Sequence, residues 1–137
     1  MCTAISFQTK RFYFGRTLDH DETYGEEVTV IPRCFPLPFL EDPENHLAIT
    51  GMAHIADGFP LMYDGFNEKG LAMAGLNFVG NAHYLDPVPE KDNIPYYALI
   101  PWILGQCATV GQVRRLLKNG NITPQRFRED LPKCGNL

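Results

Sequence analysis

Cys2 is the residue with the clearest chemical potential in this 137-residue chain, which begins Met-Cys-Thr. A start methionine before a small residue is usually removed, and its removal would leave a thiol and a free α-amine on Cys2. The thiol would then act as a nucleophile, and the amine, whose ordinary pKa is about 7.7–8.0, as its general base near neutral pH. The alternative is that Cys2 is an ordinary small buried residue.

Three further polar residues would support such a nucleophile. A hairpin would bring Arg16 to the same sheet edge as Cys2, where its guanidinium would favour the thiolate. Asp19 would accept a hydrogen bond from the α-amine if the chain bends at Leu18. Asn77 would offer an N–H or a side-chain amide to a developing oxyanion. Taken singly, Arg16 and Asp19 could form a surface ion pair, and Asn77 could be a turn residue at a strand end.

Strands must position these residues, because strand signals dominate the first 80 residues and helices come later. A capping box at residues 109–112 begins a helix that we expect to stop at Gly120. Segments 34–45 and 86–92 are predicted loops, and 67–70 a solvated turn. The pattern is typical of an α+β fold in one domain without a linker. Strands are predicted over residues 2–8, 12–17, 26–32, 47–54 and 70–78, and a helix over 96–107 with Pro101 in its first turn or at a kink.

Composition excludes several classes of protein. The net charge is −4 and the basic residues are scattered, so we expect no nucleic-acid surface. No apolar run reaches 18 residues, so no membrane span is predicted. The N-terminal residues do not resemble a signal peptide, which makes the cytoplasm the expected location. The four cysteines and four histidines show no metal-binding spacing, so neither a metal site nor a structural disulfide is expected.

Four segments of the sequence resemble the choloylglycine hydrolase family, which contains bile salt hydrolases and penicillin V acylases. The segments are MCTAISFQTK, FYFGRTLD, EEVTVIPR and DGFNEKGLAMAGLNFVG. The resemblance runs from Met1 to about Leu131 and is most specific at residues 1–3, 15–19 and 67–78. It implies an N-terminal nucleophile hydrolase with a four-layer αββα sandwich, of which residues 1–137 would form roughly the first half. It also implies cleavage of linear C–N amide bonds without a cofactor.

The resemblance implies roles for the residues singled out above. Cys2 would be nucleophile and general base once Met1 is gone, Arg16 and Asp19 its supporting charges, and Asn77 an oxyanion-hole contributor. Asparagine at this position is typical of bile salt hydrolases, whereas penicillin V acylases often carry tyrosine. The expected substrate is therefore a glycine- or taurine-conjugated bile acid.

The neighbouring apolar segments bear on how such a substrate would bind. Segments 18–24 and 54–63 are interpreted as loops that would line a pocket for the steroid body, although core packing explains them equally well. No nucleic-acid or membrane partner is implied. Family members are commonly homotetramers, but the contacts that build that assembly need not lie in these residues.

The chain also departs from the family pattern. Family members are more than twice as long, and an asparagine and an arginine expected in their second half have no counterpart here. Residues 132–137 show no apolar pattern, which we interpret as a truncated or frameshifted product or a fragment. We therefore expect exposed sheet edges and impaired activity. The alternatives to a bile salt hydrolase are a penicillin V acylase-like amidohydrolase and an inactive product or small binding module.

Overall fold

Strands precede helices along most of this chain, which a computed structural model describes over residues 2–20, 22–40, 42, 44–76 and 81–129. A 3₁₀ turn at Tyr96–Ala98 leads directly into the first helix. The elements in chain order are β1 (Thr3–Gln8), β2 (Phe12–Thr17), β3 (Glu27–Ile31), β4 (Ile49–Ala56), β5 (Phe59–Met62), β6 (Asp64–Asn67), β7 (Ala72–Ala74), β8 (Asp92–Pro95), α1 (Leu99–Gln106), α2 (Val110–Leu116) and β9 (Gly120–Thr123).

The first two strands form the antiparallel hairpin that the sequence predicted. Thr3 lies opposite Thr17 at its open end, and the chain reverses around residues 10–11. Arg16 therefore lies one position from the open end, and Cys2 lies immediately before β1. The hairpin thus brings the cysteine and the arginine to the same end of one small sheet.

The second sheet places β3, β4, β6 and β7 side by side, with β5 paired to β4. Helix α1 covers one face of this sheet, and apolar side chains from both elements form the core between them. These core side chains include Ile31, Ile49, Ala53, Ile100 and Leu104. The opposite face has no such helix among the described elements, and several of its apolar side chains are exposed.

Close contact between β4 and β6 depends on a glycine. A Cβ atom at Gly51 would lie 2.1 Å from the backbone oxygen of Asp64, so no other residue fits without moving the backbone. This close approach allows the backbone N–H of Met52 to donate to the Asp64 carboxylate at 2.9 Å. The packing of the two strands therefore fixes the position of an acidic side chain.

The helices agree with the sequence except at one end. Pro101 lies in the first turn of α1, and Thr109 and Gln112 form the predicted capping box of α2. The expected stop at Gly120 is wrong, because α2 ends at Leu116 and Gly120 begins β9. β9 pairs in parallel with β8, and the two helices form the crossover between these strands.

Two further predictions of secondary structure need correction. The strand expected over 70–78 is only three residues long at β7, and residues 77–80 lie outside the described part. Segment 54–63 is not a loop, because Ala56 pairs with Phe59 across the two-residue turn Asp57-Gly58. Both turn residues have positive φ, of 50° and 76°, as a tight hairpin turn requires.

The predicted solvated turn at 67–70 is also wrong for its first residue. Asn67 is only 2% exposed, and its amide nitrogen donates to the backbone oxygens of Leu104 and Cys107 at 2.8 and 2.6 Å. Its amide oxygen accepts from the backbone N–H groups of Lys69 and Leu71. Asn67 therefore fastens the turn before β7 to the end of α1.

Candidate active site

The thiol of Cys2 lies at the open end of the hairpin and faces the backbone of the segment that follows β2. Its Sγ is 3.8 Å from the backbone oxygen of Asp19. β2 ends at Thr17, so the chain leaves the strand at the point where a bend at Leu18 was expected. The bend brings Asp19 back to the cysteine although the two residues are 17 positions apart.

Arg16 is held on two sides by the second sheet. Its Nη2 donates to the backbone oxygen of Gly75 at 2.7 Å, and its Nη1 donates to Oδ2 of Asp64 at 3.4 Å. The side chains of Arg16 and Asp64 are 7% and 14% exposed. The alternative of a surface ion pair is therefore wrong for Arg16, because its ionic partner is the largely buried Asp64. Buried between two sheets, this guanidinium is less screened than a surface cation.

The carboxylate of Asp19 is exposed and is stabilised in its charged form. A hydrogen bond from the amino terminus of the chain holds the pKa of the Asp19 carboxyl below its ordinary value, and the positive charge of that group adds to the effect. Asp19 is therefore ionised at neutral pH. The donor in this bond is the amino terminus of the chain, and the role that the sequence assigned to Asp19, orienting the α-amine of Cys2, stays a prediction.

Two nitrogens beside these residues have no hydrogen-bond partner in the described part of the chain. Among the described residues, Nε of Arg16 and Nε2 of His20 are buried side-chain nitrogens without a hydrogen bond. His20 directly follows Asp19, and its ring lies against the rings of Tyr63 and Tyr24, with centroids 5.4 and 6.3 Å away. Most buried polar groups in proteins are hydrogen-bonded, so unpaired ones often mark a place where a ligand binds.

Sequence reasoning placed some of these residues and missed others. Cys2 contacts Asp19, and Arg16 lies at the same end of the hairpin, whereas the fourth expected site residue, Asn77, lies outside the described residues. Their catalytic roles stay predictions. Asp64 and His20 were not singled out. An acidic residue directly after the apolar run 59–63 was the available signal for Asp64, since a carboxylate beside a buried strand usually has a cationic partner.

Metal ligands, membrane spans and free thiols are the other features of the described residues that bear on function. Within the described ranges, no group of three or more His, Cys, Asp or Glu side chains could hold a metal ion. None of the described helices is long and apolar enough to cross a membrane. The three described cysteines are free thiols, and burial raises the pKa of the Cys107 thiol.

Comparison with known proteins adds to this geometry. Residues 2–132 match the family model of linear amide C–N hydrolases, choloylglycine hydrolase family. The chain is 44% identical over 134 residues to a bile salt hydrolase/transferase of Lactiplantibacillus plantarum, covering 96% of this chain and 41% of that protein. It is 40% identical over 127 residues to a conjugated bile acid hydrolase of Lactobacillus gasseri, covering 89% of this chain and 40% of that protein.

Solved structures of a conjugated bile acid hydrolase are also similar to this chain. A cysteine-to-alanine mutant of the conjugated bile acid hydrolase from Clostridium perfringens superposes with a TM-score of 0.87 at 34% identity, covering 96% of this chain and 42% of that one. An arginine-to-leucine variant of that enzyme superposes with a TM-score of 0.84 at 31% identity. The fold class is therefore confirmed as α+β, and the match fits the first part of an αββα sandwich. The chain spans about two fifths of the length of these relatives, and it belongs to the choloylglycine hydrolase family of linear amide C–N hydrolases.

Proposed function

We propose that this chain carries the nucleophile of an enzyme that hydrolyses the amide bond of glycine- or taurine-conjugated bile acids. The observation that carries the proposal is the position of Cys2, Arg16 and Asp19 at one end of the β1–β2 hairpin, in a member of this family. Support for the substrate comes from the relatives, which are named bile salt hydrolase/transferase and conjugated bile acid hydrolase. Asparagine at position 77 favours the same substrate through the family resemblance.

The proposed reaction begins once removal of Met1 frees the α-amine of Cys2. That amine takes the proton of the thiol as sulfur attacks the amide carbonyl, which gives a tetrahedral oxyanion. The oxyanion collapses to a thioester, and the proton passes from the α-amine to the departing nitrogen of glycine or taurine. Water, activated by the same amine, then cleaves the thioester to free bile acid and restores the thiol.

The surrounding groups would hold the reacting atoms in place. Asp19, an exposed and ionised carboxylate, would orient the α-amine by accepting its hydrogen bond. Arg16 would supply positive charge beside the sulfur, and its position is fixed by Asp64 and by the backbone oxygen of Gly75. Asn77 would donate to the oxyanion, which is a role that the resemblance assigns.

We also propose that turnover by these 137 residues alone is impaired. Two apolar surfaces support this proposal: the β1–β2 hairpin and the sheet face opposite α1 both expose large side chains. A site built between surfaces that are solvated is less rigid than a packed one, and catalysis depends on fixed geometry. Rapid release of taurine from taurocholate by this chain would contradict the impairment.

Trapping of the thioester tests the proposed nucleophile even where steady-state turnover is slow. The protein is mixed with taurocholate, quenched in acid and analysed by intact-mass and peptide mass spectrometry. We expect loss of Met1 and one cholyl group on Cys2, absent from Cys2→Ser. The exposed thiol of Cys34 provides the matched control, because Cys34→Ser leaves the adduct in place.

Three results would reject or redirect this assignment. A cholyl group on Cys34, or hydrolysis by protein that retains Met1, would exclude Cys2 as the nucleophile and base. If Cys2 were acylated by a phenoxyacetyl amide and not by taurocholate, the proposed substrate would change from a conjugated bile acid to a penicillin V-type amide.

A further inference from the structure

The unpaired nitrogen of His20 is the strongest feature beside Cys2 that the proposed reaction does not use. Nε2 is buried and has no hydrogen-bond partner among the described residues, although the ring itself is only half-buried. Leaving a buried polar atom unpaired costs more than the average hydrogen bond gains, so such an atom persists where something else uses it.

Two structural connections link His20 to Cys2. The first is along the chain, because Asp19, whose backbone oxygen faces the sulfur of Cys2, directly precedes it. The second passes through Tyr63, whose ring lies against that of His20 and whose backbone oxygen accepts from the N–H of Gly75. Gly75 in turn accepts from Arg16. A short series of contacts therefore links His20 to Cys2 and to Arg16.

The side chains around Nε2 of His20 indicate which chemical group this atom would bind. The ring lies against Tyr24 and Tyr63, so this part of the site is an aromatic surface with one polar atom. Binding sites of this kind use a few polar groups to orient an apolar ligand.

Two carboxylates near the His20 ring bear on which group this nitrogen would bind. The pKa of Asp19 is lowered chiefly by a hydrogen bond from the amino terminus, and that of Glu26 chiefly by one from the hydroxyl of Thr23. His20 contributes electrostatically to both, so both negative groups are near its ring. A neutral hydroxyl is not repelled by these carboxylates, and because it both donates and accepts it suits either tautomer of the imidazole.

We infer that His20 is a specificity-determining residue that hydrogen-bonds through Nε2 to a hydroxyl group on the apolar acyl part of the substrate. The inference rests on the proposed function and adds to it the residue that distinguishes hydroxylated from unhydroxylated acyl groups. A substrate without this hydroxyl would leave Nε2 of His20 without a hydrogen bond. It would therefore bind less tightly than the hydroxylated substrate.

Binding measurements test this role without any need for turnover. In a Cys2→Ala background, the affinity for glycine-conjugated cholanoic acids that carry three, two, one or no ring hydroxyls is measured by calorimetry. The variants are His20→Phe, which keeps the ring and removes both nitrogens, and His20→Gln, which restores a hydrogen-bonding group. His83→Phe is the matched control, because that histidine is exposed and lies in a different segment.

We expect His20→Phe to weaken binding of the hydroxylated ligands by roughly 3–10-fold and to leave the ligand without hydroxyls unchanged. His20→Gln should recover part of this loss, and His83→Phe should change nothing. An equal loss across the whole series would show that His20 only packs, and no loss at all would show that it does not touch the ligand. Failure of the Cys2→Ala protein to bind any member would reject the proposed substrate, whereas the first two outcomes reject only the role of His20.

Discussion

Two arginines of this chain, Arg16 and Arg33, form ion pairs that differ in burial and therefore in their effect on the structure. Arg16 is nearly buried and joins the hairpin to the second sheet, so its pairing with Asp64 decides the geometry of the site. The side chain of Arg33 is largely exposed and forms a two-pronged contact with Glu68. An exposed pair adds little to stability unless its geometry is favourable, and this geometry is bidentate.

The Arg33–Glu68 pair predicts a specific dependence of stability on pH. The hydrogen bond from Arg33, with a second from the backbone N–H of Ala48, lowers the pKa of Glu68 from 4.5 to about 2. A depressed carboxyl pKa stabilises the fold above the unfolded value and stops doing so as the pH falls through the folded value. The contribution of Glu68 should therefore be complete above pH 4.5 and disappear by about pH 2.

Urea denaturation of Glu68→Gln and the unsubstituted chain between pH 6 and 2 measures this effect. We expect the two midpoints to differ most above pH 4.5 and to converge near pH 2, with a smaller difference in 1 M salt. Glu129→Gln serves as a control at an exposed position. A difference that stays constant across the whole pH range would show that the substitution acts by some route other than the charge.

At the scale of elements, Gly51 is the position on which the contact between β4 and β6 depends. A methyl group there would meet the Asp64 backbone oxygen at 2.1 Å and the Gly65 Cα at 2.6 Å, and neither atom can move alone. A Cβ atom added at Gly15, also within a strand, would come no nearer to another residue than 4.0 Å from a methyl carbon of Ile5, so this position has room for a methyl group. The same substitution at the two sites should have opposite consequences.

We predict that Gly51→Ala lowers the free energy of unfolding by about 3 kcal/mol or more. Gly15→Ala should be neutral or stabilising by about 0.5–1 kcal/mol, since glycine is unfavourable within a strand. Chemical denaturation of both variants measures the difference. If the two substitutions cost the same, the close approach of β4 and β6 is not what makes Gly51 necessary.

The elements that sequence could predict are those whose signals are local. The β1–β2 hairpin follows from two apolar runs around a short polar turn, and α2 from the capping box that begins at Thr109. The turn at Asp57-Gly58 has an equally local signal, because this dipeptide favours the positive φ values of a tight hairpin, although segment 54–63 was predicted to be a loop.

The contacts that could not be predicted are the distant ones. Asp64 pairs with Arg16 across 48 residues, and Asn67 binds the end of α1 across 37 and 40 residues. Nothing in the local pattern around either residue specifies its partner. The proposed nucleophile was therefore visible in the sequence, whereas the residue that positions its arginine became visible only in the fold.

At the scale of the whole molecule, apolar surface is distributed unevenly. In the described part of the chain, the hairpin exposes Ile5, Phe7 and Phe12 by more than half of their surface, and β3 exposes Val28 and Val30 by 74% and 64%. Alternation along β3 puts these two valines on the face opposite α1, while Ile31 enters the core. Contiguous apolar surface of this kind promotes association in water.

We predict that the purified chain self-associates through the sheet face that carries Val28 and Val30. The double substitution of both valines by threonine keeps their shape and strand preference but replaces one methyl group of each by a hydroxyl, so it should shift the protein toward monomer without a large loss of stability. Light scattering after size exclusion measures the mass, and dye binding measures the exposed apolar surface. Val110→Thr is the control, because Val110 is similarly exposed but lies at the start of α2. A stable monomer that melts cooperatively and binds no dye would show that these valines do not drive association.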